Sequence, residues 1–299
     1  MVFVAGHFGE WLQGRLGADG PVALVTLACP VRGVRATLEA GAPPGLDRPE
    51  GLLGACRARR FLAALGRPLP GRVRLSADLP PGSGAGMSTA ALVALARLLG
   101  AEEEGRIAAA CLSAEGATDP LMRAAPDAVL WAPRRAVALR ALPRPPVAEI
   151  VGGFLGRPEP TDPADMRFPD IADLAKEWAA TLAPDPPRLD APPQAAPGRM
   201  QAPGHRGKRA GPGRLSAGRL ARLARIASVS ATRTTVLRGP DDDPTPALAA
   251  RLGALGHARA HTGSARALIF PPGEVPATAE TSLRAAGYLG VLRFRTGAA

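Results

Sequence analysis

One glycine-rich stretch limits what this chain can fold into more than any other part of the sequence. It reads LPPGSGAGMSTAALVALARLLG, with three closely spaced glycines followed by a run typical of a helix. Glycine adopts backbone angles that other residues avoid, and it lets the backbone approach a ligand closely. The first turn of a helix carries unpaired N–H groups that attract anions. The stretch therefore predicts a phosphate-binding loop, with Ser88 and Thr89 in the first helical turn.

Two familiar phosphate-binding motifs are absent from this stretch. It lacks the G-x-x-x-x-G-K-[ST] pattern of a Walker loop. Its glycine spacing also departs from the G-x-G-x-x-G pattern of a Rossmann site. A tight turn without a ligand is the alternative that the glycines alone leave open.

Composition narrows the class of protein. With 299 residues, of which 46% are hydrophobic, the chain is long enough for two domains with packed cores. No apolar run reaches the roughly 20 residues of a membrane span, and the first residues lack the pattern of a secretory signal. The three cysteines form no C-x-x-C pair. This disfavours zinc and disulfide frameworks and predicts a reducing, cytoplasmic location.

The net charge of +11 is carried almost entirely by arginine, since Lys176 and Lys208 are the only lysines. A basic balance raises the question of nucleic acid. Much of the excess, however, lies in one stretch without acidic residues, from 199 to 225. Aromatic side chains, which stack on bases, make up only 4% of the chain. We therefore expect neither nucleic acid nor a membrane as partner.

Three shorter segments place polar residues at turns. GHFGEWLQG contains Glu10 and Gln13, and HTGS contains His261 and Gly263. Between them, GATDPLM places Asp119 directly before a proline, which is typical of a turn. Taken singly, each segment is equally consistent with a purely structural turn.

Periodicity predicts the elements around these segments. A first strand is expected to end at Gly6, and PVALVTLACPV and VRGVRATLEA are expected to form two separate strands. One helix is predicted from 49 to 65, and another from the DDDP turn to Gly256.

The glycine-rich stretch resembles the ATP loop of the GHMP kinases, a superfamily that includes galactokinase, homoserine kinase and mevalonate kinase. That loop reads Pro-x-x-x-Gly-x-Gly-Ser-Ser-x-Ala, and the residues that match it are Pro80, Gly84, Gly86, Ser88 and Ala90. Met87 stands where the first serine of the family usually lies. Within the superfamily, GHFGEWLQG and HTGS are most similar to the L-threonine kinases of cobalamin biosynthesis, with Thr262 in place of a serine.

The resemblance implies an α+β protein with the two-domain GHMP kinase fold. That fold pairs a ribosomal protein S5 domain 2-like N-terminal domain with a ferredoxin-like C-terminal domain. We place the ATP-binding domain at 1–143 and the C-terminal domain at 146–299, on either side of a proline-rich junction. Residues 183–218 are rich in proline, glycine and arginine, which predicts a disordered insert without a catalytic role. An arm that binds an acidic partner is the alternative.

The resemblance also implies roles for individual residues. Asp119 would contact the substrate hydroxyl, while Ser88 and Glu115 would hold Mg²⁺. Glu115 lies two residues further from Asp119 than in the family. The residues implied in binding the acceptor are Glu10, Gln13, His261 and Gly263. The residues implied in binding ATP are Pro81, Gly82, Ser83, Gly84, Ala85, Gly86, Met87, Ser88 and Thr89.

These roles imply a kinase that uses ATP and Mg²⁺ to convert L-threonine into O-phospho-L-threonine. Another small alcohol such as homoserine is the alternative acceptor. The alternative from a different class is a degenerate nucleotide-binding protein without catalysis, which the Met87 substitution and the displaced Glu115 favour.

Overall fold

The computed structural model describes residues 1–158, 162–184 and 212–297. The first half of the chain begins with two long strands and then alternates between helices and shorter strands. Its elements are β1 (Val2–Arg15), β2 (Val22–Ala40), β3 (Gly45–Asp47), α1 (Ala55–Leu65), β4 (Gly71–Ala77), α2 (Met87–Leu98), α3 (Glu104–Glu115), β5 (Val129–Ala132) and β6 (Val137–Ala141).

The second half combines further strands with longer helices. Its elements are β7 (Ala148–Phe154), α4 (Ala172–Leu182), α5 (Pro212–Arg238), α6 (Thr245–Arg251), β8 (Gly256–Arg259), β9 (Ala265–Phe270), α7 (Ala279–Ala285) and β10 (Leu289–Thr296). Among the described residues, no helix combines the length and the apolar character needed to cross a bilayer.

Strands from both halves join in one mixed sheet. Its order is β10-β7-β9-β8-β1-β2-β4-β3, and the β5–β6 hairpin pairs with β2. The two halves meet where Glu10 of β1 lies opposite Arg259 of β8. The sheet therefore continues across the junction and brings the GHFGEWLQG segment beside the HTGS turn.

Helices cover the sheet and form the core with it. α2 consists of strong helix formers and is buried almost all round, with every residue from Ala90 to Ala96 buried. It packs on β1 and β2, while α5 packs on β1 and β8. The N-terminal end of α2 is therefore held close to the centre of the sheet.

Aromatic side chains tie the two halves together. The ring of Phe8 in β1 lies 5.1 Å from that of Phe154 and 5.8 Å from that of Phe294. Trp11 and Trp178 are both fully buried, with ring centroids 5.5 Å apart. Burying side chains of this size stabilises the fold by about 1.5–3 kcal/mol each.

The expected end of the first strand at Gly6 is wrong, because β1 continues to Arg15. Its register against β2 shifts near Gly6 and again near Glu10. The two strands expected after it form the single strand β2, and residues 30–32 bulge out of its pairing with β1. Bulges explain both errors, since they let a strand continue past residues that normally end it.

Both predicted helix boundaries are also corrected. The helix expected from 49 begins at Ala55, because Gly51 has a φ of 75° and the chain turns there first. The helix expected to reach Gly256 ends at Arg251. Gly253 adopts a left-handed φ of 68°, a common way for a chain to leave a helix.

The insert predicted at 183–218 is wrong at its C-terminal end. Residues 212–218 form the first turns of α5. The helix starts at Pro212, where the missing N–H of proline sacrifices no helical hydrogen bond. The part of the predicted insert from 185 to 211 lies outside the described residues. The division into domains at 143–146 stays a prediction.

Candidate active site

The glycine-rich loop connects β4 to the N-terminus of α2. Gly82, Gly84 and Gly86 have φ values of 72°, 77° and 69°, the left-handed region that favours glycine. A Cβ on Gly84 would lie 2.2 Å from the Cβ of Ala260. A Cβ on Gly86 would lie 2.3 Å from the ring of His7. The loop therefore requires glycine for its backbone angles and for its close packing.

Neighbouring backbone holds this loop in place. The N–H of His7 donates to the carbonyl of Ala85 at 3.1 Å, and the N–H of Gly9 donates to that of Gly84 at 3.2 Å. From the other half of the chain, the N–H of Ala265 donates to the Ser83 carbonyl at 2.8 Å. Because β1 and β9 both bind the loop, it keeps one conformation ready for a ligand.

A cavity of about 340 Å³ opens between the loop, β1 and the HTGS turn. Most of the residues implied by the sequence line it together. They are Glu10, Gln13, Gly82, Gly84, Ala85, Gly86, Met87, Ser88, Thr89, Glu115, Asp119 and His261.

Three of the implied residues do not line this cavity. Ser83 is buried inside the loop, where its hydroxyl donates to the Pro80 carbonyl at 2.6 Å. Gly263 backs the loop, because a Cβ there would lie 2.2 Å from the Gly84 nitrogen. Pro81 also lies outside the lining, at van der Waals distance from the Cβ position of Gly51. Of these three, Ser83 and Gly263 shape the loop from behind.

Ser88 and Glu115 meet at the first turn of α2. The Ser88 hydroxyl donates to Oε1 of Glu115, and the Thr89 hydroxyl lies 3.4 Å from Oε2. Burial raises the pKa of Glu115 to about 7, although the Ser88 hydrogen bond and the Arg57 charge act in the opposite direction. The two residues assigned to Mg²⁺ from the sequence are therefore in contact.

The oxygen atoms of Ser88 and Glu115 can supply part of a Mg²⁺ site. Magnesium is usually held by one or two carboxylates, together with water and substrate phosphates. No group of three or more His, Cys, Asp or Glu side chains able to hold a metal occurs in the described parts of the chain. Ser88 and Glu115 fit as a partial set of oxygen ligands that phosphate oxygens would complete.

His7 connects Asp119 to Glu10. Its Nε2 lies 3.2 Å from Oδ2 of Asp119, and its Nδ1 lies 3.3 Å from the Gly9 carbonyl and 3.5 Å from Oε1 of Glu10. The His7 side chain is 4% exposed, whereas the Asp119 side chain is 24% exposed and reaches the cavity. His7 therefore holds the carboxylate of Asp119 from the buried side.

Charges in this cluster offset one another. Burial alone would lower the pKa of His7, but the charge and hydrogen bond of Asp119, with Glu10 and the Gly9 carbonyl, raise it to about 9. Burial raises the pKa of Glu10 to about 8, against the opposing charge of His7. At neutral pH a positive His7 thus faces Asp119, while Glu10 keeps its proton.

Several buried polar atoms on the cavity wall make no hydrogen bond within the described residues. They are Oε2 of Glu10, Oε1 of Gln13 and both ring nitrogens of His261. His261 stacks on Phe168 with ring centroids 3.8 Å apart. Burial lowers the pKa of His261 to about 3, and nearby Arg238 acts in the same direction. Buried polar groups normally have partners, so a polar ligand is expected beside them.

The lining residues that sequence reasoning missed include His7, Arg57, Arg134 and Phe168. The guanidinium of Arg134 lies 5.2 Å from the Phe168 ring, which in turn covers His261. Arg57 lies in α1, and its guanidinium is 3.8 Å from Oε1 of Glu115. A single histidine in a strand and single arginines in an arginine-rich chain give no signal of their own.

Solved structures with the same fold come from small-molecule kinases. The mevalonate kinase of L. major, in complex with R-mevalonate, gives a TM-score of 0.60 at 13% identity and covers 99% of this chain and 96% of that one. The mevalonate kinase of methicillin-resistant Staphylococcus aureus gives a TM-score of 0.53 at 16% identity and covers 98% of this chain and 97% of that one. The homoserine kinase of Cytophaga hutchinsonii gives a TM-score of 0.52 at 14% identity and covers 100% of this chain and 94% of that one.

These neighbours are GHMP-family kinases that match nearly the full length of the chain. The chain therefore has the GHMP kinase fold, and the α+β fold predicted from the sequence is confirmed. At this level of identity the likeness establishes the fold alone. No protein-family model and no curated protein sequence matches the chain.

Proposed function

We propose that this protein is an ATP-dependent kinase that phosphorylates the side-chain hydroxyl of L-threonine to give O-phospho-L-threonine. One observation carries the kinase assignment: the glycine-rich loop at the start of α2 and a carboxylate from a distant segment, Asp119, face the same cavity. Phosphoryl transfer needs little covalent chemistry from the protein beyond positioning and charge stabilisation. A rigid loop opposite an oriented carboxylate provides for both.

On the donor side, the loop and the N-terminus of α2 would hold the triphosphate. The open N–H groups and the dipole of α2 favour negative charge at this point. Ser88 and Glu115 would hold Mg²⁺, which when bound neutralises charge that develops on the phosphates. Arg57, whose side chain is 44% exposed at the cavity wall, adds a positive charge on the same side.

On the acceptor side, Asp119 would contact the reacting hydroxyl. A carboxylate at this point can accept the hydroxyl proton or orient the nucleophile. The hydrogen bond from His7 fixes the position of the Asp119 carboxylate from its buried side. Asp119 is therefore oriented towards the cavity by a contact within the protein.

The choice of L-threonine rests on the resemblance of GHFGEWLQG and HTGS to the L-threonine kinases, and the cavity wall supports a polar acceptor. Glu10, Gln13 and His261 present polar atoms that lack partners within the described residues. L-Threonine, a hydroxy amino acid, offers an ammonium and a carboxylate to such groups. Homoserine offers the same groups, so it is the acceptor to test against threonine.

An acceptor panel tests this proposal directly. Purified protein with Mg-ATP is given L-threonine, L-homoserine, L-serine or mevalonate, and ADP release is followed in a coupled assay. We expect ADP with threonine and O-phospho-L-threonine in the phosphorus NMR spectrum. Equal turnover across the panel would reject threonine as the specific acceptor. Nucleotide binding without ADP release for any acceptor would favour the non-catalytic alternative.

The role of Asp119 is tested by D119N. We expect kcat to fall by about 10²–10⁴-fold, the range for a lost acid–base group, while the affinity for ATP measured by calorimetry stays unchanged. Asp242→Asn, at an exposed position outside the cavity lining, is the matched control and should keep full activity. A D119N enzyme with normal kcat would remove Asp119 from the mechanism.

A further inference from the structure

A second groove lies beside the start of the glycine-rich loop, and it shares no lining residue with the active-site cavity. Its volume of about 570 Å³ falls within the usual range for a small-molecule site. The residues that line the second groove include Arg32, Asp78, Pro80, Phe154, Ser264 and Leu289.

Most of the second groove is apolar. Leu79 and Phe154 are buried, at 7% and 6% exposure, whereas Leu289 at the start of β10 is 71% exposed. A single exposed leucine is ordinary on a protein surface. This one, however, adjoins Val291 and Leu292 on the wall of the same groove. An apolar ligand that covers Leu289 would gain about 25 cal/mol per Å² of surface removed from water.

The polar groups of the second groove leave a positive charge and a hydroxyl unsatisfied. Asp78 is already paired, with Arg35 at 2.6 Å and with the N–H of Gly33 at 3.1 Å. The Arg32 side chain is exposed, and its guanidinium makes no hydrogen bond or ion pair within the described residues. Ser264 is 3% exposed, and its Oγ lacks a hydrogen-bond partner in the described parts of the chain.

We propose that the second groove is a binding site for a small amphiphile with an anionic head, of the class of a medium-chain carboxylate. The apolar wall suits the hydrocarbon body, Arg32 supplies the complementary charge, and Ser264 supplies a buried hydroxyl. A bound molecule would touch Pro80, whose carbonyl accepts the Ser83 hydrogen bond inside the glycine-rich loop. The site therefore adjoins the loop without overlapping the active-site cavity.

Octanoate is the probe, and binding to the full-length protein is measured by isothermal titration calorimetry. Octan-1-ol has the same chain with a neutral head and should bind at least about tenfold more weakly, because it cannot pair with Arg32. Arg32→Gln should weaken octanoate by a similar factor. Equal affinity for acid and alcohol, or no heat with octanoate at all, would overturn the proposal.

Two substitutions of opposite charge at Leu289 test whether octanoate binds in the second groove. L289E should weaken octanoate binding by about tenfold or more, whereas L289K should preserve it, because only the glutamate repels an anion. Both fold readily, since Leu289 is already 71% exposed. Val236→Glu, at an 81% exposed position on α5 outside the groove, is the matched control and should bind as the wild type does.

Two outcomes of this series would overturn the site. Equal octanoate affinity in L289E, L289K and wild type would place any binding elsewhere. A wild-type dimer in analytical ultracentrifugation that both Leu289 variants dissociate would instead make the groove an interface between two copies of the chain.

Discussion

Three buried or half-buried side chains, His7, Glu10 and Asp119, carry most of the electrostatics of the candidate site. An isolated charge in a protein interior is costly, so such groups either pair or shift their pKa. Here His7 pairs with Asp119, and Glu10 keeps its proton. The cluster thereby combines a pair formed by His7 and Asp119 with a buried carboxyl, Glu10, whose pKa is raised.

This cluster makes stability depend on pH. The pKa of Glu10 is about 8 in the folded protein, above its ordinary value of 4.5. The folded protein therefore keeps a proton that the unfolded chain releases, and the stability from this group falls as pH rises towards 8. His7 acts in the same direction, since its pKa is raised from 6.5 to about 9.

We therefore expect E10Q to flatten the decline of stability with pH. Between about pH 5 and 8, the slope of the unfolding free energy should be shallower than in the wild type by up to about 1.4 kcal/mol per pH unit, the value for one proton. Urea titrations at several pH values measure it. Glu102→Gln, at an exposed position, should leave the slope unchanged. An E10Q slope equal to that of the wild type would contradict a protonated Glu10.

At the scale of elements, the glycine-rich loop depends on two separate properties of glycine. Gly86 needs a left-handed φ of 69°, and a Cβ there would also strike the His7 ring. Gly41 needs a similar φ of 83° but has nothing within 4 Å of its Cβ position. The two positions therefore separate backbone strain from steric conflict.

G86A should accordingly lower the free energy of unfolding by about 1–3 kcal/mol more than G41A, the usual range for forcing extra atoms into a packed site. Chemical denaturation of both variants gives the comparison. Equal losses would mean that the contact between Gly86 and His7 is loose and that only backbone strain matters.

The helices α4 and α5 lie on either side of residues 185–211, which are outside the described residues. Near their adjoining ends, the Arg219 guanidinium donates to the Ala183 carbonyl at 3.2 Å, and Arg222 pairs with Glu177 at 3.0 Å. The C-terminal end of α4 thus contacts α5 about two turns after Pro212. A short connection could bridge the two helices.

We expect replacement of 185–211 by a flexible linker of about six residues to leave ADP release within about twofold of the full chain, because the helices fix both ends and closure costs little. Initial rates with threonine measure the effect. A folded variant, judged by circular dichroism, that has lost activity would give this segment a functional role.

At the scale of the whole molecule, the predicted boundary at 143–146 separates two halves that share a core. Phe8 and Trp11 of the first half are buried against Phe154 and Trp178 of the second. The sheet also continues from β1 to β8. Each half by itself would expose large aromatic surfaces.

The intact protein should therefore unfold in one step, with tryptophan fluorescence and far-ultraviolet circular dichroism giving the same midpoint in urea. A fragment of residues 1–143 alone should show no cooperative transition, because it lacks the side chains that cover Phe8 and Trp11. Two separated transitions, or a cooperative fragment, would show that the halves are independent domains.

About half of the cavity lining could be predicted from the sequence, because the signals for that half are local. Left-handed glycines and the start of a helix lie within a few neighbouring residues, so the loop and α2 were predicted where the structure has them. The motifs also predicted that Glu115, Asp119 and His261 share one site, and all three line the cavity. Strand ends were predicted poorly, since bulges depend on the partner strand.

The sequence by itself determined the phosphate-type loop, the helix behind it and the order of the motifs, because backbone angles and helix propensity act over a few residues. Only the tertiary structure decided that His7 binds Asp119, which lies 112 residues away, and that Glu10 keeps its proton. It alone brought Ser264 and Leu289 to one groove. The physical reason is that burial and charge pairing arise only when distant segments pack together and exclude water.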